Sequence, residues 1–286
     1  MIRAASRNAI AELRARLDAE TANLSSSELT QVAEQLYAVA DLLVGQSRLR
    51  RILGDPSTAE QSRTQLVAQL LAGKVSPATL SVVSSAVALR WSSPWDLTDG
   101  LAQAGDDVLL RTAEVGGALE EVEDQLFRFE RILDSQAELV TLLDEVSVSA
   151  ERRTALLRDV VFGRVHPITQ RLLEHVVASP RKRSVENAID DLLKAAAARR
   201  ERSIARVLAA VPVTASQEER LAQALSEIYG RAIEVRTAVD PAVRGGLLIR
   251  IGDELIDGSV AGRFAAIRAA LVGHCRYEMG TDRWLS

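Results

Sequence analysis

"LTQVAEQLYAVADLLVGQSRLRRIL", Leu29–Leu53, lies over "LEEVEDQLFRFERILDSQAELVTLL", Leu119–Leu143, at an offset of 90 residues. At the same offset, "RTQLVAQLLAGKVSPAT" from Arg63 lies over "RTALLRDVVFGRVHPIT" from Arg153. Residues 29–90 and 119–180 agree without a gap at 18 of 62 positions. Most other core-like positions exchange one apolar side chain for another, as Leu42 does for Ile132 and Val82 for Leu172. A self-similar stretch of this length reads as a duplicated structural unit, and it sets the architecture before any single motif does.

Each copy reads as helices. Leu29, Val32, Leu36, Val39 and Leu43 step by three and four residues, which puts them on one helical face. Ser25 with Glu28 and Ser57 with Glu60 have capping-box spacing, which would satisfy free N–H groups at two helix starts. "GKVSP" and "GRVHP" place a glycine stop and a proline restart between later helices. Residues 1–22 supply a leading helix with Ile10, Leu13 and Leu17 on one face, and residues 184–202 form a long helix leaving the second copy.

After Arg202 the texture changes. "SIARVLAAVPVT" is a strand-like run ended by Pro212, and Ser216 with Glu219 is spaced to cap a helix through Tyr229 with Leu221, Leu225 and Ile228 on one face. "AIEVRTAV" alternates as strands do. Leu247–Ile251 is apolar enough for another strand, with Gly252-Asp253 as the hairpin turn into Leu255 and Ile256. Asp257 or Ser259 then caps a last helix whose Val260, Phe264, Ile267 and Leu271 share a face. The fold expected is mainly α: a first helical bundle at 1–114, a duplicated one at 115–202, and an α/β module at 203–286.

The region "VDPAVRGGLLIRIGDELIDGSVAGRF", Val239–Phe264, is the one place where chemistry competes with turns. Gly245-Gly246 lacks the G-x-G-x-x-G spacing and the G-K-[ST] ending of phosphate loops. Asp240, Asp253 and Asp257 stand at turns or caps, where aspartate accepts local N–H bonds. Gly245, Gly246, Gly252 and Gly258 accordingly read as structural turn residues.

The totals narrow the function further. Lys+Arg number 35 against 39 Asp+Glu, a net charge of −4 that argues against a global nucleic-acid-binding field. Cys275 stands alone, so no internal disulfide or dithiolate zinc site is possible. No apolar run approaches the roughly 20 residues of a membrane span. Arg3, Arg7, Arg14 and Arg16 faintly suggest a presequence, but Glu12, Asp18 and Glu20 oppose that. His166, His175 and His274 show neither metal spacing nor a nucleophile partner, and no cofactor is expected. Arg181-Lys182-Arg183 and Arg199, Arg200 and Arg202 read as solvated ends of a long helix.

At "VDP", "GG", "RIGD" and "IDGSV" the chain resembles the C-terminal signature of the delta subunit of bacterial F-type ATP synthase, the oligomycin-sensitivity-conferring protein family. "AVPVTASQEERLAQAL" is similar to that family's bridge into its C-terminal module. The family carries one bundle and this chain carries about two, as in delta subunits from GC-rich bacteria; lysine occurs only at 74, 182 and 194. The resemblance implies a non-catalytic peripheral-stalk subunit, without a membrane span, on the cytoplasmic side of the plasma membrane. Its implied partners are the N-terminal helices of the alpha subunit and the stator b chains.

The sharpest site expectation comes from unequal helices. "ATLSVVSSAVALRW" from Ala78 is apolar or small on every side until Arg90, whereas its counterpart "ITQRLLEHVVAS" carries Arg171, Glu174 and His175. A helix without a polar face must be covered all round, either by its own chain or by a partner helix in a groove. The resemblance implies an alpha-subunit groove between first and fifth helices, with Ile10, Leu13 and Leu17 on one wall and Leu80, Val83 and Val87 on the other. It also implies b-chain binding through Phe264, Ile267 and Leu271. Two rivals stand beside this: a helical adaptor with an RNA-binding C-terminal module, whose strands hold no aromatic, and a hydrolase using Asp240, Asp253 and Asp257.

Overall fold

The computed structural model describes residues 4–145, 147–161, 163–178, 184–202, 204–229, 233–240, 243, 245–251 and 254–258. Two compact units divide the chain, Met1–Arg199 and Arg200–Ser286.

The first unit is helical. It begins with α1 (Ala4–Glu20), α2 (Ser26–Gly45), α3 (Ser47–Gly54), α4 (Glu60–Leu71), α5 (Pro77–Ala88) and α6 (Pro94–Val115). The pattern repeats as α7 (Leu119–Ser135), α8 (Ala137–Asp144), α9 (Ala150–Val161), α10 (Pro167–Ala178) and α11 (Val185–Arg202). Helices α3, α4 and α5 recur as α8, α9 and α10 at the 90-residue offset read from the sequence. Both copies share one apolar core running from Ala9 on α1 to Ala196 on α11. The predicted face of α2, Leu29 through Leu43, is buried throughout.

The repeat also preserves polar joints. Gln35 Oε1 accepts from the Ser76 N–H at 2.9 Å and the Thr79 hydroxyl at 2.7 Å, and Gln125 Oε1 accepts from the His166 N–H and Thr169 hydroxyl, each at 2.7 Å. Buried Arg63 donates to the carbonyls of Leu89 and Ala88, and buried Arg153 to those of Val177 and Ala178. Each arginine thus satisfies carbonyls at the open C-terminal end of a neighbouring helix. Three of these positions, Gln35/Gln125, Arg63/Arg153 and Thr79/Thr169, are identical between the copies, and each ties two helices together, while His166 stands where the first copy has Ser76.

Local details confirm some signals and correct others. The Ser25–Glu28 capping box forms in full. The Ser57–Glu60 box does not: Asp55 accepts the Ser57 N–H at 2.8 Å, and α4 starts from Ala59 with no side-chain cap. An aspartate two residues upstream competes successfully for the serine by closing a local turn. Gly105 on α6 lies against the Tyr37 ring, where an added Cβ would come within 2.5 Å of a ring carbon. Gly105→Ala is therefore expected to lower stability by about 1–3 kcal/mol through overpacking, read as a lower melting temperature by circular dichroism.

The second unit contains α12 (Ala215–Tyr229) and strands β1 (Ile204–Ala209), β2 (Glu234–Val239), β3 (Leu247–Ile251) and β4 (Glu254–Asp257). The sheet order is β2-β1-β3-β4, with β1 parallel to β2 and the other pairs antiparallel. Ala205, Val207, Ile249 and Ile251 pack into a core with Leu225 and Leu221 of α12. Strand alternation leaves the intervening residues on the other face. The start of α12 is held by Thr214 and Gln217, not Ser216 and Glu219: Gln217 Oε1 accepts the Thr214 N–H at 2.9 Å. Ile251 pairs with Glu254, consistent with a tight hairpin, though Gly252 and Asp253 themselves lie outside the described residues.

Candidate partner-binding surface

Helix α5 starts from Ser76, whose hydroxyl caps it, with Pro77 in its first turn. Val82, Val83, Ala86 and Val87 point into the core, and Ala78, Leu80, Ser81, Ser84, Ser85 and Ala88 are half-buried. The side that lacks charge in the sequence is thus partly covered by the chain itself and partly open. The Ser81 hydroxyl donates to Glu20 Oε1 at 2.7 Å, tying α5 to the end of α1. The Ser6 hydroxyl donates to Asp96 and accepts the Ser92 N–H, which fixes the other end of α1 against the α5–α6 connection.

The same positions on α10 are already engaged. Glu174 binds Arg158 at 2.7 and 3.1 Å and Gln170 at 2.7 Å. The Arg158 hydrogen bonds, against a smaller opposing effect of burial, hold the Glu174 carboxyl below its usual range. Arg171 reaches across to Glu34 at 2.7 Å, and the His175 ring stacks on Tyr37 with centroids 3.6 Å apart. Burial, then the charge of Asp106, raises the Tyr37 hydroxyl well above its ordinary value, so it stays a neutral donor to Asp106 at 2.7 Å. Of the polar residues of α10, Arg171 and His175 thus reach the first copy, Arg171 while remaining exposed, and Glu174 pairs within its own copy.

The expected groove walls are corrected by their burial. Leu13 and Leu17 are 2% and 1% exposed, and Val83 and Val87 are 1% and 0% exposed, so the chain's own helices cover all four. They form the packing between α1 and α5, beneath any outer surface. Of the six residues, Ile10 and Leu80 keep exposed area. Ile10 faces elsewhere: with Arg7, Ala11 and Arg14 it lines a cleft of about 520 Å³ bounded by α6, Val176 and α11.

Sequence reasoning also misplaced Arg199. It is buried, donating to Glu114 at 2.8 Å and to Asp18 at 3.3 Å. Burial works against its charge, but Glu114 and Asp18 outweigh that and raise its pKa. The signal available was the distant pair of acids, and nothing local in the "AARRER" run marks one arginine as buried.

In the second unit the turn reading of the glycines fits the backbone. Gly245 and Gly246 have φ of 73° and 82°, the left-handed region that side chains disfavour. The Asp240 N–H donates to the Ala209 carbonyl, and the Gly258 N–H to that of Leu247, closing the sheet's ends. Asp257 is the last residue of β4. Phe264, Ile267 and Leu271, expected to meet a b chain, lie outside the described residues, as do Arg181–Arg183.

Among the described residues no group of His, Cys, Asp or Glu is arranged to hold a metal, and no helix is long and apolar enough to cross a membrane. The described residues present a helical unit with a partly open α5 face and a four-stranded sheet. The family described as ATP synthase delta (OSCP) subunit matches residues 107–271. The ATP synthase subunit delta of Streptomyces griseus is 42% identical over 269 residues, covering 94% of this chain and 99% of that protein. That of Thermobifida fusca is 42% identical over 270 residues, covering 94% and 98%. A chain of the Toxoplasma gondii mitochondrial ATP synthase hexamer is 20% identical over 58% of this chain and 94% of that one, with a TM-score of 0.29. The chain belongs to the ATP synthase delta (OSCP) subunit family, and it is a non-catalytic stator subunit of that machine.

Proposed function

We propose that the chain joins the catalytic head of ATP synthase to the membrane-anchored b chains from the cytoplasmic side of the bacterial plasma membrane. In this reading an alpha-subunit N-terminal helix lies along α5, over Leu80, Ser84, Ser85 and Ala88, and the C-terminal module meets the b chains. The supporting observation is the contrast between copies. An apolar helix laid on α10 would have to displace the Arg158–Glu174 and Arg171–Glu34 pairs, whereas α5 presents small side chains that permit close approach. Each aliphatic anchor seated there contributes about 1.5–3 kcal/mol before ordering costs. The mechanism is mechanical: two contacts slow enough to dissociate that torque on the rotor does not turn the head.

The test is calorimetric titration of an alpha N-terminal peptide into the full chain. Ser84→Glu, which adds a charge to the open face, is expected to weaken binding about tenfold or more, or roughly 1.4 kcal/mol. Glu174→Ser, at the matching position of the second copy, should leave the affinity within about twofold, a change of under 0.5 kcal/mol. Unchanged binding by a folded Ser84→Glu variant, with loss in Glu174→Ser, would move the site to the second copy.

A further inference from the structure

The seam inside the helical unit shows what the outer stripe of an α2-type helix receives. Arg171 of α10 reaches Glu34 of α2 at 2.7 Å, and one turn further on the His175 ring stacks on Tyr37. At the 90-residue offset the same stripe on α7 is Asp124 and Phe127, with exposed Glu120 and Glu121 where α2 has Thr30 and Gln31. Phe127 is 50% exposed, against 9% for Tyr37. The cause lies in α11. Its buried Val185, Ile189 and Arg199 repeat Leu97, Leu101 and Arg111 of α6 at an offset of 88 residues. Leu193 and Lys194 therefore stand where α6 has Gly105, against which the Tyr37 ring lies, and Asp106, which accepts its hydroxyl. Lacking slot and acceptor, the second copy carries an aromatic without the hydroxyl and leaves the ring half outside.

We infer that this α7 stripe docks a helix of a neighbouring ATP synthase subunit, which sets a lysine or arginine against Asp124 and, one turn on, a flat or aliphatic side chain against Phe127. The first copy supplies the pattern. There α10 presents a cation and a ring, Arg171 and His175, to an acid and an aromatic, Glu34 and Tyr37, with the two helices running in the same direction. Charge favours a basic visitor still more on the second copy, because Glu120 and Glu121 extend the acidic end of the stripe. At the other end Arg131 replaces Asp41, so the visitor's cation belongs on its N-terminal side. Arg128 holds Asp124 at 2.5 Å, but both side chains are exposed, and such a pair yields to an incoming cation at little cost. Aromatic side chains are enriched at the centres of protein interfaces, which suits the Phe127 ring to be the anchor. A second copy of this chain is the wrong occupant: its α5 has Ser81 and Ser85 where α10 has Arg171 and His175, and α10 itself is already engaged. Neither the α5 contact nor the b-chain contact is needed for this docking; it requires only an assembled synthase.

The test places the photo-cross-linking residue benzoylphenylalanine at position 127 of the full chain in purified, assembled ATP synthase, and maps the linked peptides by mass spectrometry. The expected product joins position 127 to a helical segment of another subunit, with a lysine or arginine one helical turn before the linked residue. Adding Asp124→Lys should lower its yield about tenfold while circular dichroism of the chain stays parental. In the full chain by itself, Phe127→Ser should leave the melting temperature within about 2 °C of the parent, because the ring lies outside the buried core. No cross-link to another subunit, a link to a second copy of this chain, or a linked segment without the cation overturns the proposal. So does an unchanged yield with Asp124→Lys, or a Phe127→Ser variant that melts well below the parent, which would show the ring spent on internal packing.

Discussion

Leu13→Asp is expected to unfold the helical unit, not simply to abolish a partner contact. Leu13 sits in the α1 stripe with Ala9 and Leu17, all in the core against α5 and α6. Truncation to alanine at such a site costs about 2–5 kcal/mol, and a carboxylate costs more because it would be buried among apolar side chains. A typical domain is stable by only about 5–15 kcal/mol, so this single change removes a large share. Circular dichroism of the full chain should show a loss of helix or a strongly lowered melting temperature. A variant that stays helical with a parental melting temperature and loses only the alpha peptide would restore Leu13 to an open groove wall.

Arg199→Met should be the second large effect. It removes the cation that faces buried Glu114 at 2.8 Å and Asp18 at 3.3 Å. Breaking such a pair from one side costs about 3–5 kcal/mol, because the acid stays behind in a poorly solvated place. Replacing both partners, Arg199→Met with Glu114→Leu, should recover much of the loss for the same reason. Chemical denaturation of the parent, the single and the double variant reads this directly. A single variant as stable as the parent would mean that α11 is not pinned to α1 and α6 through this ion pair.

The repeat, the helical phase of α2, the strand pattern and the left-handed backbone at Gly245 and Gly246 were legible because each depends on local spacing. The offset of 90 residues holds in the helices themselves, since a duplicated unit keeps its own connections. Long-range partners were not legible. Arg63, Arg153 and Arg199 look like surface arginines in the chain and become buried through carbonyls and acids from distant helices. Exposed Arg171 and half-buried His175 meet Glu34 and Tyr37 of the other copy, partners that lie far away in the chain. The candidate groove failed in a physical way: apolar periodicity identifies what must be covered, and cannot say whether the chain or a partner covers it. Helix α6 was passed over although Ser93 and Pro94 mark its start and Leu97, Leu101, Ala104 and Val108 its buried face.

The proposed stator role requires one chain to hold the head and the b chains at once. Analytical ultracentrifugation of the full chain with the alpha N-terminal peptide and the soluble part of the b chain, singly and together, tests it. A complex containing all three is expected, in which neither ligand weakens the other more than about twofold, roughly 0.4 kcal/mol. Mutually exclusive binding, or a chain that holds one ligand and never the other, would contradict it.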